Sequence, residues 1–280
     1  IFCIPYGWCI VYASIMIIEL SDFFNNPSLI SLGPLNIQYY AVTWVLSAYF
    51  IYLFLKSHPI PKELGLSTDQ INDLVFLYGL IFGAMFGGRV GYMVFYGSDQ
   101  LMNNPLSLFF IWEGGLSFHG GLAGVILSSI VFSNKLKINF FRLTDAITLA
   151  MPIGLGLVRI GNFLNGELYG RATSGDWGFI FPTDPFGLPR HPSQLYESLL
   201  EGIVLFLILS FIHNKTKKIG IISASFLILY GLMRFFIEFF RQPDAHLGFV
   251  ALEWLSMGQL LCLPMIFVGF LLLIYFLRKA

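Results

Sequence analysis

Seven stretches of the chain run apolar for roughly the 20 residues that a membrane-crossing helix needs: 37–56, 74–96, 116–134, 145–163, 195–212, 220–240 and 254–277. A further apolar run, residues 1–18, precedes Glu19 and contains Pro5 and Gly7. It has neither a basic leader nor an initiating Met, so it makes a poor signal peptide. It reads equally as an eighth helix and as an extension from a truncated or misplaced start. The polar residues between the stretches alternate in character. Lys56 and Lys62 follow the first, Lys135, Lys137 and Arg142 the third, Lys215, Lys217 and Lys218 the fifth, and Arg278 and Lys279 the seventh. Basic loops stay in the cytoplasm, which places segments 97–113, 164–192 and 241–252 on the outer side and the C-terminus inside. The pattern predicts an all-α, polytopic membrane protein with seven transmembrane helices and a possible eighth at the N-terminus. Only the Gly-, Pro- and Asp-bearing segment 164–192 is large enough for a small outer cap.

Composition narrows the class. Of 280 residues 56% are apolar, 17% aromatic and 11% charged, with 30 Phe and a mean hydropathy of +0.76. A soluble domain could not keep that much apolar surface dry. Sixteen basic residues balance sixteen acidic ones, without the basic excess of a nucleic-acid binder. Cys3, Cys9 and Cys262 are too few and scattered for a disulfide framework or a zinc site.

The distribution of charge says more than its sum. All eight lysines fall in the cytoplasmic loops, whereas Arg89, Arg159, Arg171, Arg190, Arg234 and Arg241 lie in the spans or on the outer side. Arginine stays ionised and presents a planar fork that matches phosphate oxygens. Within an apolar span it faces a cavity or a partner. Arg89 and Arg241 read equally as partners of nearby carboxylates, while Arg159 and Arg234 favour a bound anion. Gly79, Gly83, Gly87 and Gly91 form a stripe at spacing four on the second span, a pattern for close helix packing.

Three polar clusters interrupt the apolar pattern. Residues 114–121, Gly-Gly-Leu-Ser-Phe-His-Gly-Gly, surround His119 with glycines that leave room for a substrate. An imidazole titrating near neutrality is suited to base work, against the plainer reading of a satisfied structural His. Residues 156–171 hold Arg159, Asn162, Asn165, Glu167 and Arg171 among four glycines. No strand precedes this block and Arg159 stands where a dinucleotide loop needs its third glycine, so a polar pocket fits better. On the sixth span Tyr230, Arg234, Glu238 and Arg241 share one helical face, and Glu238 is placed to hold Arg234 through an i,i+4 contact. The plainer alternative is mutual neutralisation. His191, in Arg190-His-Pro-Ser-Gln-Leu-Tyr-Glu197, reads as a loop tie-down rather than a reacting group, and Asp145 as a helix cap or a partner of Arg142.

These residues carry a resemblance. Phe118-His-Gly-Gly121, the run from Arg159 to Arg171, His191-Pro-Ser-Gln-Leu-Tyr-Glu197 and Phe239-Phe-Arg-Gln-Pro-Asp244 resemble, in order and spacing, the prolipoprotein diacylglyceryl transferases. The resemblance runs from about Asn26 to Arg278, with residues 1–25 an N-terminal extension and 26–280 a single transmembrane transferase domain. It implies a multi-pass enzyme of the bacterial cytoplasmic (inner) membrane whose active site faces the periplasm. That enzyme moves the diacylglyceryl group of phosphatidylglycerol to the lipobox cysteine of a prolipoprotein signal peptide and releases glycerol phosphate. It needs no cofactor and no metal, and binds no nucleic acid. By the same resemblance His119, Arg159 and Arg234 are catalytic, and Tyr40, Asn162, Glu167, Gly170, Tyr230 and Glu238 join Arg159 in binding substrate. Gln38 stands where related sequences often carry His, and the loop between Arg171 and Arg190 is short for the family.

The nucleophile belongs to the substrate peptide. Its thiol has a pKa near ~8.5, so either a base or a cationic field must help it ionise. His119 as base, and His119 as lipid ligand beside an arginine field, both remain open at this level. A transporter would carry paired broken helices. A membrane protease would need Gly-x-Ser-x-Gly, paired intramembrane Asp or His-Glu-x-x-His, and a metal-dependent lipid phosphotransferase would need clustered Asp. The sequence has none of these.

Overall fold

The computed structural model describes residues 38–279 apart from 111–113, 175–176, 244–247 and 253, with backbone alone at 249 and 251 and in short strands before residue 38. Helices stand at each of the seven apolar stretches. They are α1 (Tyr39–Ser57), α2 (Thr68–Phe95), α3 (Phe118–Leu136), α4 (Phe140–Leu164), α5 (Ser193–Lys215), α6 (Ile221–Ile237) and α7 (Met257–Arg278). Capping explains where they depart from the apolar limits. Helix α2 begins well before its apolar part because Ser67 and Gln70 form a reciprocal capping box, and the Ser117 hydroxyl caps α3 by accepting from Gly120 N at 3.3 Å. Helices α1, α2, α4, α5 and α7 are long and apolar enough to cross a membrane. The most apolar of them, α7, is also the least buried, the reverse of a water-soluble fold. The chain is a mostly helical, polytopic membrane protein.

It divides into two compact units. The seam unit comprises Val45–Gly154, Leu205–Leu229 and Ile266–Ala280. Here α2 opens in the wide turns of a π-helix, Asp73–Gly87, and packs against α3 through glycine on glycine. A Cβ on Gly87 would stand 2.7 Å from Gly120 O, one on Gly91 2.6 Å from Gly120 Cα, and one on Gly83 2.7 Å from a Val125 methyl. No side chain fits there, which is the close packing expected from the stripe. Gly79 is the exception, because its Cβ would meet only Leu74 O of its own helix. At the other end Asp145 is wholly buried and caps α6, accepting from Gly220 N (2.7 Å), Ser223 N (2.9 Å) and the Ser223 hydroxyl (2.8 Å). Arg142 pairs with Glu63 instead. Of the two roles open to Asp145, the cap is the one observed.

The loop unit comprises Ile1–Trp44, Leu155–Val204 and Tyr230–Met265. Strand Met16–Glu19 runs parallel to Trp177–Ile180, whose other edge pairs antiparallel with Pro189–Arg190. Antiparallel hairpins join Ser28–Leu32 to Leu35–Gln38 and Phe249–Ala251 to Leu255–Ser256. Two expectations are corrected here. The described residues of 1–18 lie in strands at Phe2–Cys3, Cys9–Ile10 and from Met16 onward, not in an eighth helix. The fold is also not purely helical. Chain outside the spans must satisfy its own backbone groups, and short ladders do so.

Candidate active site

The loop unit gathers most of the residues singled out in the sequence. The end of α4 supplies Arg159 and Asn162, and the chain then turns through Gly166 and Leu168, both in the left-handed region (φ 65° and 57°). Leu168 holds this unfavourable backbone because the Ser193 hydroxyl binds its carbonyl at 3.1 Å. The turn presents Glu167, whose carboxylate accepts from Asn162 Nδ2 at 2.8 Å and whose carbonyl accepts from Gln194 Nε2 at 2.7 Å. Gly170 follows where the backbone is squeezed between two neighbours: its N–H donates to His191 O at 2.8 Å, and a Cβ would lie 2.6 Å from Phe240 O. Only glycine fits. Tyr40 lies in the first turn of α1, its N–H donating to Asn165 Oδ1 at 3.3 Å and its ring edge-on to Trp44.

Glu197 joins the arginines. This wholly buried carboxylate on α5 accepts from Arg234 Nη1 through Oε1, while Oε2 lies 2.7 Å from Arg159 Nε. The second approach is an ion pair without the alignment of a hydrogen bond. Arg159 therefore makes one hydrogen bond among the described residues, Nη1 to Asn162 Oδ1 at 3.3 Å. Arg234 is held harder. Its Nη2 donates to Glu238 across the i,i+4 spacing read from the sequence, and Glu201 Oε1 lies 3.6 Å from Nη1. Glu238 in turn accepts from the Ser256 hydroxyl at 2.7 Å and pairs with Arg241 at 3.5 Å. Gly258 makes room for it, since a Cβ there would stand 2.7 Å from the Glu238 carboxyl carbon.

Glu197 and Glu201 are the residues that sequence reasoning passed over. Their signal is two carboxylates four residues apart in an otherwise apolar span. His191 ties the loop down as expected, its Nδ1 3.2 Å from the Tyr196 hydroxyl and its ring edge-on to Phe240. Burial lowers its pKa.

Several of the six arginines are scaffold. Arg171 donates to Arg241 O (3.0 Å) and Glu238 O (3.2 Å), covering carbonyls at the end of α6. Arg190 grips Asp184 with two bonds of 2.7 and 2.9 Å and lies over the Tyr169 ring. In the seam unit Arg89 is buried and donates to Gly114 O and to Ser107 O (2.7 Å), pinning the segment that leads to α3. His119 lies in the seam unit too, on the exposed first turn of α3 with its ring edge-on to Phe118. Tyr230 belongs to the loop unit, half-buried on α6.

Half-buried arginines bridged by a buried carboxylate thus stand together in a mostly helical membrane protein. Comparison with known proteins makes this specific. Residues 27–275 match the model of the family described as prolipoprotein diacylglyceryl transferase. Proteins named phosphatidylglycerol–prolipoprotein diacylglyceryl transferase are similar along nearly their whole length. That of Oleidesulfovibrio alaskensis is 46% identical over 248 residues, 88% of this chain and 91% of the relative. That of Geobacter sulfurreducens is 46% identical over 244 residues, 87% and 92% of the two chains. That of Aliivibrio fischeri strain ES114 is 44% identical over 255 residues, 91% and 90% of the two. The chain belongs to the prolipoprotein diacylglyceryl transferase family. The family match starts at residue 27, in line with a resemblance beginning near Asn26.

Proposed function

We propose that this chain transfers the diacylglyceryl group of phosphatidylglycerol to the lipobox cysteine of prolipoprotein signal peptides, and that the arginine–carboxylate cluster of the loop unit is where the lipid phosphate is held. The observation that carries the site is the pairing of Arg159 and Arg234 on the single buried carboxylate of Glu197. Arg234 is fixed by carboxylates, so its charge is preorganised. Arg159 has made only one hydrogen bond among the described residues and presents the rest of its fork to a phosphodiester. As the glyceryl carbon–oxygen bond breaks, charge grows on the departing phosphate, where preorganised donors contribute roughly 3–4 kcal/mol each. Asn162, Glu167 and Gly170 shape the turn beside that phosphate, with Glu167 turned to the glycerol hydroxyls. Tyr40 and Tyr230 set the apolar-to-polar boundary, and Glu238 keeps Arg234 in place. His119 brings an imidazole able to bond the headgroup or to take a proton.

All seven helices span the inner membrane in this reading, with lysine-bearing loops inside and the sheet of the 164–192 segment forming a small periplasmic cap. Both substrates are membrane-held, so they enter between helices rather than from water. The test is a mass measurement. Purified protein given phosphatidylglycerol and a lipobox peptide adds one diacylglyceryl group to the peptide cysteine, and an unmodified peptide under conditions where a relative is active overturns the reading.

A further inference from the structure

Three arginines and three glutamates are linked by ion pairs in the loop unit: Arg159, Arg234 and Arg241 with Glu197, Glu201 and Glu238. Three positive and three negative charges leave the set neutral. Glu201 differs from its fellows. It is wholly buried, in the π-helical turn Ser198–Val204 of α5, and neither carboxylate oxygen accepts a hydrogen bond among the described residues. Glu238 has the Ser256 hydroxyl and Arg234, and Glu197 has Arg234. Beyond Arg234 Nη1 at 3.6 Å, the charged and titratable groups acting on Glu201 are Glu197 on its own helix, Arg159 on α4, Tyr230 on α6 and Cys262 on α7. A buried carboxylate whose nearest donor stands 3.6 Å away is costly to keep, and π-helical turns recur at functional positions.

Charge balance shows what such a group is for. The lipid enters as a phosphodiester with one negative charge and leaves as a phosphate monoester with two, while the thiol loses one proton. A neutral cluster holding the product would carry two uncompensated negative charges in a low-dielectric interior unless that proton stays.

We propose that Glu201 takes up the proton given up by the substrate thiol, which leaves His119 to the lipid headgroup; the assignment rests on the transferase reading above. The sulfur lone pair forms the new carbon–sulfur bond, and the carbon–oxygen pair leaves on the glycerol phosphate oxygen. The thiol proton ends on the Glu201 carboxylate and is released to solvent as the product departs. No redox partner is required.

The test is the pH dependence of kcat/KM from about pH 5 to 9, with phosphatidylglycerol in micelles and a lipobox peptide. The wild-type rate falls on the acid side as Glu201 loses its capacity to accept a proton. Glu201→Gln retains lipid binding, loses about 10²–10⁴-fold in kcat and flattens the acid limb. His119→Asn raises KM for the lipid and keeps the limb. Glu201→Asp, one methylene shorter, still transfers but with a shifted acid limb, and it decides the matter if the Gln variant does not fold. Wild-type kcat or an intact limb in Glu201→Gln, an unmoved limb in Glu201→Asp, or a limb abolished in His119→Asn overturns the assignment. Absence of product with the wild-type protein overturns the transferase reading instead.

Discussion

Arg89 and Arg159 both stand on apolar helices, Arg89 buried and Arg159 half-buried, and their guanidinium groups are spent differently. In the seam unit the Arg89 guanidinium donates, among the described residues, to the backbone carbonyls of Gly114 and Ser107. In the loop unit Arg159 faces a shared carboxylate and one amide, with most of its donors uncommitted among the described residues. A buried arginine that donates to backbone carbonyls ties those loop segments to its helix and acts as a structural pin. One balanced by side-chain carboxylates can exchange them for an incoming anion. Arg190, locked to Asp184 by two bonds, is scaffold as well, so a carboxylate partner alone does not set Arg159 apart; Arg159 differs in sharing the Glu197 carboxylate with Arg234.

The largest effect that tests this contrast falls on Arg159. Arg159→Lys keeps the charge but loses the planar fork, so transfer measured by peptide mass shift falls about 10²–10³-fold, the equivalent of roughly 3–4 kcal/mol, while the thermal midpoint in detergent stays near wild type. Full activity in that variant breaks the comparison. Arg89→Lys gives the opposite profile. Losing one of its charge-assisted bonds costs about 1.5–3 kcal/mol of stability, read as a lower melting temperature, with the lipid KM little changed. A raised KM without destabilisation would move Arg89 into the site. Gly120→Ala sharpens the seam side, since its Cβ would lie 2.7 Å from Gly91 Cα. Forcing those backbones apart costs about 1–3 kcal/mol, seen as a lower unfolding midpoint.

The smallest effect concerns the outer loop. Burial alone would push the Asp184 carboxyl up, but Arg190 and the N–H groups of Leu188 and Phe186 outweigh it and hold it below the usual carboxylate range. A depressed folded value means that this stability is present above the unfolded carboxylate pKa of ~3.9 and is lost as pH falls through the folded value. Asp184→Asn lowers the unfolding midpoint at neutral pH by the equivalent of about 1 kcal/mol and flattens the acid-side loss. An unchanged acid slope in that variant counts against the Asp184–Arg190 lock.

Local rules carried far along this chain. Apolar run length placed every long helix, because a bilayer-sized segment is a property of consecutive residues. The Arg234–Glu238 contact followed from one turn of helix, and the glycine stripe announced a close crossing before the partner helix was known. Pairings remote in sequence were not legible. Glu197 is 37 residues from Arg234, and nothing in the spacing says that it also reaches Arg159. Strand Met16–Glu19 finds its partner at Trp177–Ile180, and in isolation its apolar run resembles the start of a helix. Asp145 is close to Arg142 in the sequence but caps α6, whose capping residue Gly220 lies 75 positions away.

The sequence alone determined that this is a membrane protein and where its helices run, because hydration cost is settled residue by residue. Tertiary structure decided the fate of each arginine. A guanidinium in an apolar interior must be neutralised or bonded, and whether a carbonyl or a carboxylate does so depends on which distant segment folds against it. That choice set Arg89 and Arg171 on backbone carbonyls and Arg190 on the Asp184 carboxylate, and left Arg159 and Arg234 around the buried carboxylates of Glu197 and Glu201.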